Sequence, residues 1–255
     1  MSSATTTTTS MASNGTAPTG TRTNLQQVAA LDPMFAQMLG ATAAHARAIP
    51  ELTEREKTFL RVTADVCQPS LGFALEAHLR MGLAAGISTA EVRALVRFIS
   101  YDCGYHAATS GLERIAEFEA KNQMAAVEIE PLPEELVTTG PDAAPSPLPE
   151  PVRADLAELD PHFLEFFDLQ SRMRSGHGPE TLTERERGLA TLSIDVHYQT
   201  LGDTFRIHVG RALRGGASRE DVRAALRFNA QFGATRAWQA WKTLNAHFAA
   251  LDAEE

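Results

Sequence analysis

Leu52-Thr53-Glu54-Arg55-Glu56 heads a block that runs to Phe98, and Leu182-Thr183-Glu184-Arg185-Glu186 heads a second block that runs to Phe228. Laid over each other without a gap, the blocks agree at about 18 of 47 positions, far above chance for this composition. The chain therefore reads as a tandem duplication. The agreements fall where helix ends and packing need them: Asp65-Val66 against Asp195-Val196, Leu71-Gly72 against Leu201-Gly202, and Gly86 with Ser88 against Gly216 with Ser218. One polar side chain stands out, since His78 and His208 hold the same place in an otherwise apolar helical pattern.

Helix limits follow from the same block. Thr53 with Glu56, repeated as Thr183 with Glu186, is a capping box: the hydroxyl accepts a third-position amide and the carboxylate returns to the cap amide. A helix from Thr53 to about Val66 is predicted, broken by the Pro69 to Gly72 region. A second helix carries His78, and Gly86 ends it in the left-handed conformation. Ser88 with Glu91, and Ser218 with Asp221, cap the next helix, and after Cys103-Gly104 a last helix completes the copy. Upstream, Leu31-Asp32-Pro33-Met34-Phe35 returns as Leu159-Asp160-Pro161-His162-Phe163, so the duplication extends beyond the gapless block. No alternating strand pattern bounded by hairpin turns is present, and the fold class is all-α.

The rest of the chain divides accordingly. Residues 1–23 are Thr, Ser, Ala, Asn and Gly with almost nothing to bury, and a disordered arm is predicted. Repeat 1 spans 24–127, a Pro-rich acidic linker on the surface spans 128–153, and repeat 2 spans 154–255. The linker is read as extended and without chemistry.

Totals narrow the function. A formal charge of −9 with 44% hydrophobic residues argues against a non-specific hold on nucleic acid or on anionic lipid. No apolar run reaches the roughly 18 residues of a membrane span, and no basic head with an apolar stretch of signal-peptide type leads the chain. The expectation is a cytoplasmic protein with no nucleic-acid and no membrane partner. Two cysteines, Cys67 and Cys103, neither build a disulfide framework nor form a CxxC pair. No cluster has metal-ligand spacing and no glycine-rich phosphate loop is present, so neither metal nor cofactor is expected.

Taken in order, cap, helix, small-residue break, helix with a central His, Gly, capped helix and Gly corner resemble the carboxymuconolactone decarboxylase and AhpD-like alkylhydroperoxidase superfamily. The residues that carry the resemblance are Thr53 to Lys57, Leu75 to Arg80, Gly86 to Val92 and Cys103 to Ala108. In the second copy they are Thr183 to Arg187, His208, Gly216 to Val222 and Phe232-Gly233. The resemblance implies two tandem AhpD-like helical-bundle repeats forming a pseudo-symmetric unit, each of about six helices. Because single-copy members assemble in rings of three or six, it also implies a homo-oligomer, a trimer of pseudo-sixfold shape. Peroxidase members place a Cys-x-x-Cys four residues before the His and a relay Glu one helix back. Here Leu71 and Ala74, then Leu201 and Thr204, hold the cysteine positions, and Thr58 and Gly188 hold that of the Glu. The decarboxylase branch, which keeps the His without the cysteines, is the nearer pattern.

An imidazole that takes a proton from carbon or water and then stabilises a developing enolate suits a cofactor-independent lyase, isomerase or cyclase acting on a small carboxylated or carbonyl compound. His78 and His208 are the candidate acid/base groups, and Asp65 and Asp195 the groups that orient them. Equally, the histidines could be core residues satisfied by a helix carbonyl and the aspartates could hold a neighbouring Arg. Candidate substrate-binding residues are Cys67 and its counterpart His197, Arg80, Tyr105, His106, Arg236 and Trp238, the arginines being suited to a bidentate grip on a carboxylate. The other reading is a non-catalytic scaffold or small-molecule-binding protein that kept the fold and lost peroxidase chemistry. A third, a thiol peroxidase using Cys67 or Cys103, is weaker still.

Overall fold

A computed structural model describes residues 24–126, 128–175 and 182–254. The predicted disordered arm lies outside the described residues. Every regular element among them is helical. The chain forms two compact units, one up to Ala41 and one from Thr42 to Glu255, with the boundary inside a helix.

In the first unit, α1 (Asn24–Leu31) leads through Asp32 into α2 (Pro33–Arg47). Asp32 Oδ1 accepts the Phe35 amide at 2.9 Å, so the Asp-Pro pair caps α2 rather than merely interrupting the chain. The second unit holds the end of α2 and α3 (Glu54–Cys67), α4 (Phe73–Ala84), α5 (Thr89–Cys103) and α6 (Tyr105–Lys121). These are followed by α7 (Glu134–Val137), α8 (Glu150–Leu159), α9 (Pro161–Ser175), α10 (Glu184–Tyr198), α11 (Asp203–Arg214), α12 (Arg219–Asn229), a 3₁₀ turn (Ala230–Phe232) and α13 (Ala234–Glu254).

All four predicted capping boxes are formed, by Thr53 with Glu56, Ser88 with Glu91, Thr183 with Glu186, and Ser218 with Asp221. Gly86 and Gly216 sit at φ 82° and 92°, just past the ends of α4 and α11. There the Ile87 and Ala217 amides reach back to the Gly82 and Ala212 carbonyls at 2.9 and 3.0 Å, the paired bonds of a Schellman ending. Only a residue without Cβ takes that backbone freely.

Two apolar cores fill the second unit, and each borrows from the other half of the sequence. Leu52 and Leu60 pack with Leu189, Leu192, Phe205, Val209 and Leu226. Leu182, Ala190 and Ile194 pack with Phe59, Val62, Leu79, Leu95 and Ile115. The exchange runs through α3 and α10, which lie against each other. It is mirrored in charge, because Arg55 Nε donates to Glu186 Oε1 and Arg185 Nε to Glu56 Oε1, both at 2.5 Å. Each glutamate therefore serves twice, one oxygen capping its own helix and the other holding the opposite one.

The 128–153 segment departs from the expectation of an extended strap. It contains α7 and the start of α8, and it is tied down on α9: Arg172 donates to the Thr138 carbonyl at 3.0 Å, Arg153 reaches Asp168 at 3.4 Å, and the Ser146 hydroxyl donates to the same carboxylate. A Pro-rich composition removes helix propensity, but side-chain bonds to a neighbouring helix still order the chain.

Candidate functional site

His208 and Asp195 meet across α10 and α11, which are joined by a short break at Gly202. α10 ends at Tyr198 with Gln199 in the left-handed conformation, and Gly202 leads into α11, so residues thirteen apart face each other: Nδ1 of His208 is 2.6 Å from Oδ2 of Asp195. The Thr200 hydroxyl donates to the other carboxylate oxygen at 2.6 Å, which fixes the plane of the acid. An ionised carboxylate only accepts, so Nδ1 carries the proton and Nε2 is left as the basic atom. The same pair recurs in α3 and α4, where Nδ1 of His78 lies 2.6 Å from Oδ2 of Asp65. Burial raises the Asp65 carboxyl above its ordinary range, and the His78 contact pulls it the other way. Of the two readings left open for the aspartates, the geometry shows the one in which each holds a histidine.

The surroundings of the two pairs differ. His208 lines a cavity of about 730 Å³ whose size suits a small-molecule ligand. Its apolar side is made by Phe98, Leu156, Phe167, Ile207 and, from the segment expected to carry no chemistry, Leu148 and Val152. Its polar side carries Arg174, Arg187, Arg206, Arg211 and Arg214 against Asp102, Glu184 and Asp203. Arg174 donates to Asp102 at 2.6 Å, and its Cζ lies over Phe98 and Tyr101, 4.3 and 4.5 Å from their centroids. Burial makes its charge costly, and Asp102 offsets that cost. Among the described residues, Arg174 Nε and Arg211 Nη1 are buried donors with no acceptor. His78 is not part of this cavity, and its side chain is 16% exposed.

The remaining sequence candidates are scattered. Arg80 is spent on Glu76 at 2.6 Å on the exposed face of α4. Tyr105 is half exposed and lines a separate, smaller cavity, and His106 next to it is exposed. Arg236 donates to the Phe232 carbonyl at 2.8 Å, and Trp238 is exposed with the Lys242 ammonium 4.3 Å from its ring centroid. His197 is buried, with Nδ1 2.6 Å from Gln68 Nε2 and Nε2 unpartnered among the described residues. Burial, with Arg236 adding to it, lowers its pKa to about 4, so it is a neutral core imidazole at pH 7. Cys67 sits in an apolar core and burial pushes its thiol up, while Cys103 is pushed up to about 12 by burial and Asp102. Neither offers the thiolate that peroxide chemistry needs.

Sequence reasoning missed the arginines. Arg174 falls in α9 where the upstream echo of the duplication has Ala46, and a cation in place of a buried alanine was the available signal. The relay-Glu positions are closed by packing. A Cβ on Gly188 would lie 2.5 Å from the Ala212 Cα, and in the first copy Thr58 fills the space that Gly82 leaves, 2.9 Å from where a Cβ would stand. The two crossings keep one small residue each, on opposite helices, and neither has room for a glutamate.

Among the described residues no group of three or more His, Cys, Asp or Glu side chains could hold a metal ion, and no helix is long and apolar enough to cross a membrane. No protein-family profile matches the chain, and no curated protein does. Among solved structures the chain is similar to one from Burkholderia xenovorans LB400 that is provisionally assigned as a gamma-carboxymuconolactone decarboxylase subunit. The two share 20% identity over 92% of this chain and 93% of that one, with a TM-score of 0.52. At that identity the likeness speaks for the helical fold alone.

Proposed function

We propose that the cavity at His208 is the site of a cofactor-independent lyase or isomerase of the carboxymuconolactone decarboxylase type, acting on a small carboxylated or carbonyl compound. The observation that carries the reading is a histidine held by a carboxylate on the wall of a cavity that also offers buried, unanswered guanidinium N–H groups. Asp195 orients the ring and stabilises the imidazolium. Nε2 takes a proton from the carbon next to a carbonyl, and returns it to the enolate at the same or a different carbon. For decarboxylation Nε2 first takes a proton from solvent, the carbon–carbon bond to the leaving carboxylate breaks, carbon dioxide departs with the electron pair left on the enolate, and the imidazolium Nε2–H gives that proton to the enolate carbon.

The arginines assist only if they hold a group that stays anionic. A guanidinium clamped on the departing carboxylate would stabilise the ground state and oppose its loss. The retained anion therefore belongs at Arg211 and Arg174, and the leaving carboxylate against the apolar wall of Leu148, Val152 and Leu156. His208→Ala is expected to lower turnover of a panel of small carboxylated lactones and oxo acids by about 10²- to 10⁴-fold, the range for a lost acid/base. His78→Ala is expected to cost far less. Equal effects of the two variants would remove His208 from its role. Tight binding without turnover by the intact protein would favour a non-catalytic binding protein.

The rest of the reading goes with this site. We take the chain as two AhpD-like copies, 24–127 and 154–255, related by pseudo-symmetry across the α3 and α10 pair, joined by 128–153, and assembled as a cytoplasmic homotrimer. Exposed apolar side chains at matching positions, Leu31 with Leu159, Phe35 with Phe163 and Met38 with Phe166, support contacts between chains.

A further inference from the structure

A second cation stands without a counter-ion away from His208. Arg97 and Arg227 occupy the same place in the two copies, seven residues into α5 and α12 from Ala90 and Glu220. Arg227 is answered twice, by Glu220 at 2.6 Å and by Glu51 at 2.8 Å. Arg97 has no such partner among the described residues: Ala90 stands where Glu220 would, and the charged neighbour it does feel, Arg93, repels it. Burial of the side chain is the larger part of the cost, ahead of the Arg93 repulsion. The chain thus contains its own control, one arginine neutralised from within and its equivalent left bare.

Arg97 does not face bulk solvent alone. It lines a cavity of about 230 Å³ with Tyr105, Thr109, Leu112, Leu132 and Arg174. Arg174 has a counter-ion in Asp102, with only its Nε left over, whereas Arg97 has no carboxylate partner among the described residues. The volume falls below the roughly 300 to 1,000 Å³ of drug-sized pockets, so the occupant is small. A planar guanidinium fork matches a carboxylate, and Leu112 and Leu132 supply an apolar surface for the body attached to it.

We infer that the cavity between α5, α6 and α9 is a second ligand site, in which Arg97 binds the carboxylate of a small acid with an apolar body. It goes beyond the reaction assigned to His208 and does not depend on it. Tyr101 and Arg174 line both cavities, so the two sites share a wall and must be separated by experiment.

Benzoate is the probe, titrated into the full chain by isothermal calorimetry. Three variants accompany the wild type. Arg97→Leu removes the cation, Ala90→Glu supplies the internal carboxylate that the second copy has, and Arg211→Leu disables the anion-holding side of the His208 cavity. Circular dichroism and a melting curve check that each variant is folded. In the Arg211→Leu background a benzoate site is expected to remain, and to weaken at least tenfold on adding either Arg97→Leu or Ala90→Glu. Ala90 is half-buried in the first turn of α5 and its counterpart in the second copy is Glu220, so this second variant decides the matter if Arg97→Leu does not fold. Benzoate binding indifferent to both changes, or no binding in the Arg211→Leu background, overturns the inference and leaves the His208 reading standing. Arg97-dependent binding in a wild-type chain that turns over none of the small acids does the reverse.

Discussion

At the scale of single residues, the working unit is an imidazole whose Nδ1 is spent. Asp195→Asn keeps the shape but offers an amide that can donate as well as accept, so the ring loses its enforced tautomer. Turnover is expected to fall by about 10²-fold or more, measured as kcat on whichever acid the wild type consumes. Arg211→Leu removes a buried donor aimed at the retained anion, and its effect should appear mainly as a raised KM, provided substrate and transition state hold that anion equally. A buried histidine of another kind gives a pH prediction. His197 titrates near 4 in the fold against an ordinary 6.5, so between those values the unfolded chain binds more protons. Stability from this group is complete above about pH 6.5 and is lost as pH falls toward 4, by up to about 3 kcal/mol. His197→Gln should flatten that part of the stability curve, read by urea denaturation across pH 4 to 7; an unchanged slope would remove the account. The sequence alone offered His78, His208, Asp65 and Asp195, because a polar pair repeated at one spacing stands out in an apolar pattern. It did not single out Arg174 or Arg211, since an arginine in a helix reads as a solvated face until the neighbouring helix is in place.

At the scale of elements, most boundaries were legible because caps are local chemistry. Thr with Glu three residues on, and Gly after a helix, act within a single turn, and the four capping boxes and both Schellman endings stand where the residues place them. The 128–153 segment was not legible, because what orders it is remote: Arg172 and Asp168 on α9. Its Leu148 and Val152 then become cavity wall. Helix crossings are equally non-local. Gly188 matters only because Ala212 of α11 lies against it. Gly188→Ala would place a Cβ against backbone and is expected to destabilise by about 1 to 3 kcal/mol, despite the better helix propensity of alanine. A denaturation midpoint equal to or above that of the wild type would contradict the close crossing of α10 and α11.

At the scale of the whole molecule, the exchange of Leu52 and Leu60 for Leu182, Ala190 and Ile194 makes the two halves complete each other's cores. Residues 24–127 expressed alone should therefore lack a cooperative melting transition, since Leu182, Ala190 and Ile194 would be missing from the core around Phe59 and Ile115. Mixing in residues 128–255 should restore it. A cooperative, monomeric 24–127 fragment would show that the exchange is incidental. Light scattering on the intact chain is expected to give three times the 27.6 kDa of one chain, and a monomeric mass would remove the ring proposed for it. The difference between the halves is as informative as their likeness. One histidine–aspartate pair opens on a large cavity lined with arginines, and the other stands apart from it.

The claim that matters most is that His208 moves a proton to and from carbon. Hydrogen exchange in D₂O tests it directly: small oxo acids and carboxylated lactones are incubated with the protein, and loss of the proton next to the carbonyl is followed by proton NMR. Exchange or turnover with the wild type and with His78→Ala, reduced at least about 100-fold in His208→Ala, is the predicted result. Exchange that survives intact in His208→Ala would contradict it.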